Sequence, residues 1–122
     1  MRHALTLTAS LIAGCAGCAM TPAEVLERGV QVNTDHTGTP AVVAHCMETH
    51  VETNKVGMLA TTRPQPDGGL QMIVRILGET TDTGAVIRFM PSGGGTRATW
   101  YISPNVIIIS PESFMNHVRG NC

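Results

Sequence analysis

The chain has 122 residues, with eight Lys and Arg against nine Asp and Glu and a formal net charge of −1 at pH 7. That length suits one domain, and the charge balance excludes the basic stripe on which nucleic-acid binding rests. Lys55 is the only lysine, so a polybasic segment drawn to anionic lipid is excluded as well.

The chain opens MRHALTLTASLIAGCAGC over Met1 to Cys18. Arg2 and His3 form a short positive region, Ala4 to Gly14 is an apolar run, and Leu11-Ile12-Ala13-Gly14 directly precedes Cys15. A charged start, a short apolar run and a small-residue cleavage site mark an export signal. The run as far as Met20 is broken by Thr6, Thr8 and Ser10 and falls short of the ~20 apolar residues of a membrane span. Leu11 to Cys15 resembles the lipobox of bacterial lipoproteins, in which an aliphatic and two small residues precede a lipidated cysteine. The resemblance covers Met1 to Cys18 and selects no specific family. It implies removal of residues 1–14 as a signal peptide and attachment of several acyl chains to Cys15, in keeping with the rule that one chain anchors only marginally. With Ala16 rather than Asp after the cysteine, it also implies the periplasmic face of a Gram-negative outer membrane.

Residues 15–38 are expected to form the lipidated terminus and a tether, and 39–122 a single periplasmic domain. Cys15 and Cys18 share a C-x-x-C spacing, but at a mature terminus they lack the helix start of a redox motif. In an oxidising compartment Cys46 and Cys122 are expected to pair. Closing a loop of that size would stabilise by about 4 kcal/mol in the chain-entropy picture, which suits a domain with little core. Cys18 is left over.

Within the tether, Thr21-Pro22-Ala23-Glu24 is a capping box with proline at the first helical position. It predicts a short helix through Arg28, closed by Gly29. Asn33 to Gly38 reads as loop by composition. Thr39-Pro40 starts a second helix to Thr53, because Val42, Val43, Cys46, Met47, His50 and Val51 recur at spacings of three and four. That stripe turns Cys46 toward the core. The period then changes to two. Val56 to Arg63, Leu70 to Leu77, Ala85 to Met90 and Thr96 to Ile102 read as strands of an antiparallel meander. Pro64 to Gly69 supplies an Asp-Gly turn, and Gly78 to Gly84 is a polar connection. Val106 to Ile109 is either a fifth strand or the lead-in to a last helix from Ser110-Pro111 to His117 or Arg119. The sum is an α+β fold of two layers: an N-terminal helix, four or five antiparallel strands and a short C-terminal helix.

Two constellations carry candidate chemistry. His45-Cys46-Met47-Glu48-Thr49-His50 brings together imidazole, thiol and thioether, a donor set for copper or zinc. Five residues turn a helix by about 500°, so His45 and His50 do not share a face. The plainer reading has Cys46 in a disulfide, Met47 in the core and both histidines at the surface, with His36 and His117 contributing only if the fold brings them near. Met58, Met72 and Met90 fall on strands as ordinary core filling. The second constellation lies on the sheet face away from the helices. Alternation places Arg75, Arg88 and Arg97 there on successive strands, with Tyr101 on the side of Arg97. Such a stripe would hold carboxylates or phosphates of peptidoglycan, lipid or protein. Otherwise it is a solvated face paired with Glu79, Asp82 or Asp67.

The remaining motifs carry less. Gly93-Gly94-Gly95-Thr96 lacks the lysine and the following helix of a P-loop. Ser103, Ser110 and Ser113 lie near His117, but no nucleophile elbow is present. Glu48 and Glu52 lie on one helix face, an ordinary solvated arrangement. Aromatic residues make up only 3% of the chain, too few for a carbohydrate-stacking platform. These readings lead to a lipid-anchored envelope protein without catalytic residues or cofactor. It would bind or scaffold an envelope protein or peptidoglycan partner. A metal-handling lipoprotein using His45 and His50 is the alternative, and a small hydrolase the least supported.

Overall fold

A computed structural model of the chain describes residues 19–54, 57–78, 82–106 and 110–122. The elements are α1 (Pro22–Arg28), β1 (Val30–His36), α2 (Pro40–Asn54), β2 (Met58–Pro64), β3 (Leu70–Ile76), β4 (Asp82–Ser92) and β5 (Gly95–Ile102). A 3-10 turn (Pro104–Val106) and α3 (Pro111–Arg119) complete the chain. The α+β class holds, with a five-stranded sheet of order β1-β5-β4-β3-β2, antiparallel at every pairing.

The helix starts follow their local chemistry. Thr21 Oγ1 accepts from the Glu24 N–H, and the Glu24 carboxylate accepts from the Thr21 N–H, so two otherwise orphaned donors of α1 are satisfied. Thr39 Oγ1 accepts from Val42 at the start of α2, and Ser110 Oγ accepts from Ser113 at the start of α3. The β2–β3 connection closes through Gln65 and Gly69, with the Asp67 carboxylate accepting from Gly69. Gly93 and Gly94, with φ of 54° and 84°, make the two-residue β4–β5 turn, where positive φ at both positions matches the strand twist.

The core lies between α2, α3 and one face of the sheet. Val43, Ala44, Met47 and Val51 of α2 and Phe114, Met115 and Val118 of α3 cover Met72, Val74, Ile87, Phe89 and Trp100. One row across the sheet runs Thr62, Met72, Ile87, Trp100 and Val32. The register shifts between Val74 and Arg75. Beside that shift, a Cβ on Gly84 would meet the Phe114 ring at 3.2 Å, so the absence of a side chain there lets α3 close on the sheet.

Four expectations are corrected. Residues 33–36, read as loop, belong to β1, which pairs with β5 from Val30↔Ile102 to His36↔Thr96. The free ladder of β5 and the inward positions Val32, Thr34 and His36 outweigh a turn-like composition. This strand is the fifth, and Val106 lies in the 3-10 turn; Ile107 to Ile109 fall outside the described residues, as do Val56 and Glu79. The helices do not all cover one face: α1 lies on the other, where Val25 packs with Val86, Ile73 and Tyr101. The fold therefore takes in residues read as tether. Last, Met90 faces outward and is 39% exposed.

Candidate functional site

Cys46 and Cys122 form a disulfide, with S–S 2.01 Å and Cα–Cα 5.9 Å. Cys122 is partly buried against the core. Cys46 is exposed, which corrects the expectation that the apolar stripe turns it inward. Val43, Ala44, Met47 and Val51 hold the inward positions, while Val42 is 61% exposed. Those four residues are the ones α2 contributes to the core, and Cys46, held by Cys122, is not among them. Residues 1–14, read from the sequence as a signal segment, and Cys15 and Cys18 lie outside the described residues.

The disulfide is adjoined by a buried hydrogen-bond chain. Trp100 Nε1–H donates to Thr34 Oγ1 at 2.7 Å. Thr34 Oγ1 is 2.6 Å from His36 Nε2, and His36 Nδ1 is 3.0 Å from the Cys122 carbonyl oxygen. A carbonyl only accepts, so Nδ1 carries the proton and Nε2 accepts from the Thr34 hydroxyl. The polar side-chain atoms of Trp100, Thr34 and His36 thus all have partners, and Cys122 is tied to β1 as well as to α2. Hydroxyl, imidazole and carbonyl here share the connectivity of a nucleophile and base. However, Thr34 Oγ1 is already taken by Trp100 and faces the core, so the chain works as a structural clasp.

The candidate metal residues are not brought together. His45 is exposed on α2. The His50 ring rests on Gly120, where an ideal Cβ would lie 2.5 Å from its Cε1 and Nδ1, and Asn54 lies over its other side. Gly120 has φ of 52°, so glycine is required twice over, for the backbone and for the ring. His36 has both nitrogens engaged. Only a shallow hollow joins His50 and His117. Among the described residues, no group of three or more His, Cys, Asp or Glu is arranged to hold a metal.

Arg75, Arg88, Arg97 and Tyr101 share the outer sheet face, but no continuous stripe forms. Arg88 Nε donates to Gln71 at 3.1 Å, and Arg97 Nε to Asp35 at 3.1 Å, with both partners mostly exposed. The hydrogen bond from Arg97 to Asp35 raises the guanidinium pKa further. Arg88 and Arg97 are diagonal neighbours, since Arg88 pairs with Thr99 and Arg97 with Met90. Arg75 stands apart, four residues along β3 from the partner of Arg88. Between them α1 covers Val86 and half-buries Tyr101. Sequence alternation assigns the face correctly and misses its cover, because α1 carries no signal for the side on which it packs.

Two open clefts lie at opposite ends of the sheet. One, of about 490 Å³, lies between the end of β1 and the β4–β5 turn, beside Asp35, Thr37, Ser92 and Arg97. The other, of about 370 Å³, runs between the end of α2 and β2, with Leu59 and Leu77 on its apolar side and Glu48 and Glu52 on its acidic one. Both leucines are 50% exposed. Among the described residues, no helix is long and apolar enough to cross a membrane. Comparison of the chain with protein-family models, with curated proteins and with solved structures finds no match.

Proposed function

We propose that this chain is a bacterial lipoprotein whose domain is held by acyl chains on Cys15 at the periplasmic face of the outer membrane. There it binds or scaffolds an envelope protein or peptidoglycan. The observation that carries this reading is the Leu11-Ile12-Ala13-Gly14-Cys15 sequence at the end of an apolar, export-type segment. The Cys46–Cys122 bond accords with it, because disulfides persist in the periplasm and are rare in the cytosol.

The domain acts as a binding module, with the outer face around Arg88 and Arg97 as its polar contact surface. Planar guanidinium groups suit carboxylate and phosphate partners, and Asp35 and Gln71 hold these two in place. Confinement at a membrane raises the effective concentration of a weak partner, so a small surface suffices. The test is fractionation of a Cys15→Ser variant. It should leave the membrane fraction and appear in the soluble one, or remain as an unprocessed precursor. A mature variant still sedimenting with membranes at high salt would remove the acyl anchor from the account.

A further inference from the structure

Met20 is bolted to the sheet. Its N–H donates to the Asp82 carboxylate at 2.6 Å, and its carbonyl accepts from Thr83 at 3.2 Å. Its sulfur accepts from the fully buried Ser103 hydroxyl. Only Ala16, Gly17, Cys18 and Ala19 separate this point from Cys15. Five residue steps span at most about 18 Å even when fully extended.

Met20 sits at the end of the sheet where β4 begins, next to the starts of β1 and β2 and the ends of β3 and β5. The other end of the sheet, at the β4–β5 turn, lies about 33 Å away along the ten steps of β4. A domain standing on that other end would lift Met20 nearly twice as far as the tether reaches. The Met20 end also carries Leu59, Leu77 and Val30 among the exposed large apolar residues; Val42 and Met90 lie toward the other end.

From this we infer that the sheet end bearing Met20, Leu59 and Leu77 rests against the lipid surface in which Cys15 is anchored. The β4–β5 turn, the cleft beside it and Arg97 then face away from the membrane, toward the soluble partner. This orientation rests on the acyl anchor proposed above. The leucines enter the interfacial region as apolar contacts, and the short tether makes the contact effectively intramolecular.

The test uses the acylated full chain in vesicles whose lipid headgroups carry a paramagnetic quencher. Tryptophan is placed at the membrane end by Leu77→Trp or, separately, Leu59→Trp, and at the far end by Ser92→Trp. Trp100 is fully buried and supplies a constant background. The added emission should be quenched several-fold more at position 77 or 59 than at position 92. A Gly/Ser insertion of about 20 residues after Cys18, with an r.m.s. span near 25 Å, should shrink that difference. Equal quenching at both ends, or stronger quenching at position 92, overturns the orientation while leaving the anchor intact. Failure of the mature chain to float with vesicles overturns the anchor itself, and the orientation with it. Because Leu59 and Leu77 are separate sites, loss of fold in one variant still leaves the other to decide.

Discussion

Replacing Cys122 by alanine opens a loop whose ends lie 76 residues apart in sequence. The chain-entropy expression gives about 4.5 kcal/mol for a loop of that length, against a measured range of about 2–5 kcal/mol for native bonds in small secreted domains. Unfolding entropy near 2.1 cal/mol/K per residue gives about 0.2 kcal/mol/K for about 100 ordered residues, so the expected fall in Tm is about 10–25 °C. The geometry supports the upper part of that range. The bond fixes Cys122 to α2, and the same residue's carbonyl accepts the hydrogen bond from His36 Nδ1–H. The assay is thermal unfolding followed by circular dichroism, comparing Cys122→Ala, the oxidised protein and the oxidised protein treated with a dithiol. Cys122→Ala and the reduced protein should melt together, well below the oxidised form. A difference of less than about 4 °C, which corresponds to under about 1 kcal/mol, would refute the reasoning.

The remaining predictions concern the clasp and the caps. Thr34→Val leaves the buried Trp100 N–H without its acceptor and should cost about 1–3 kcal/mol in urea unfolding; an unchanged midpoint would dissolve the clasp. Gly120→Ala meets both a positive φ, costing about 1–2 kcal/mol, and the His50 ring. Adding His50→Ala should return part of the loss, giving a coupling above about 0.5 kcal/mol in a double-mutant cycle, whereas strict additivity removes the His50–Gly120 contact. Hydrogen bonds with Thr21 hold the Glu24 carboxyl below its ordinary value of 4.5. Its contribution is therefore complete above that value and is lost as pH falls through the lowered one. Glu24→Gln should flatten this part of the acid limb in melts at decreasing pH, and an identical acid limb would contradict the capping role.

Where local chemistry alone decides, the sequence was sufficient. The capping box placed α1 at Pro22–Arg28, and Thr39-Pro40 and Ser110-Pro111 opened α2 and α3 at the observed residues. Alternation gave the four meander strands to within three residues, the largest difference being the start of β4 at Asp82 rather than Ala85. What failed depends on partners distant in sequence. Asn33, Thr34 and Asp35 form strand because β5 offers a free ladder and Trp100 an N–H for Thr34. Nothing local encodes either. The helical stripe points Cys46 inward, yet it is exposed and its partner lies 76 residues away in sequence. The arginine face was legible as a face, but its register separates Arg75 from Arg88, and α1 covers the ground between.

The measurement that tests the central claim most directly is non-reducing peptide mass mapping of the protein purified from membranes. The account predicts a mature N-terminal peptide beginning at an acylated Cys15, together with a Cys46–Cys122 bridged peptide pair. An N-terminal peptide that retains Met1, or a mature Cys15 without acyl chains, would contradict it.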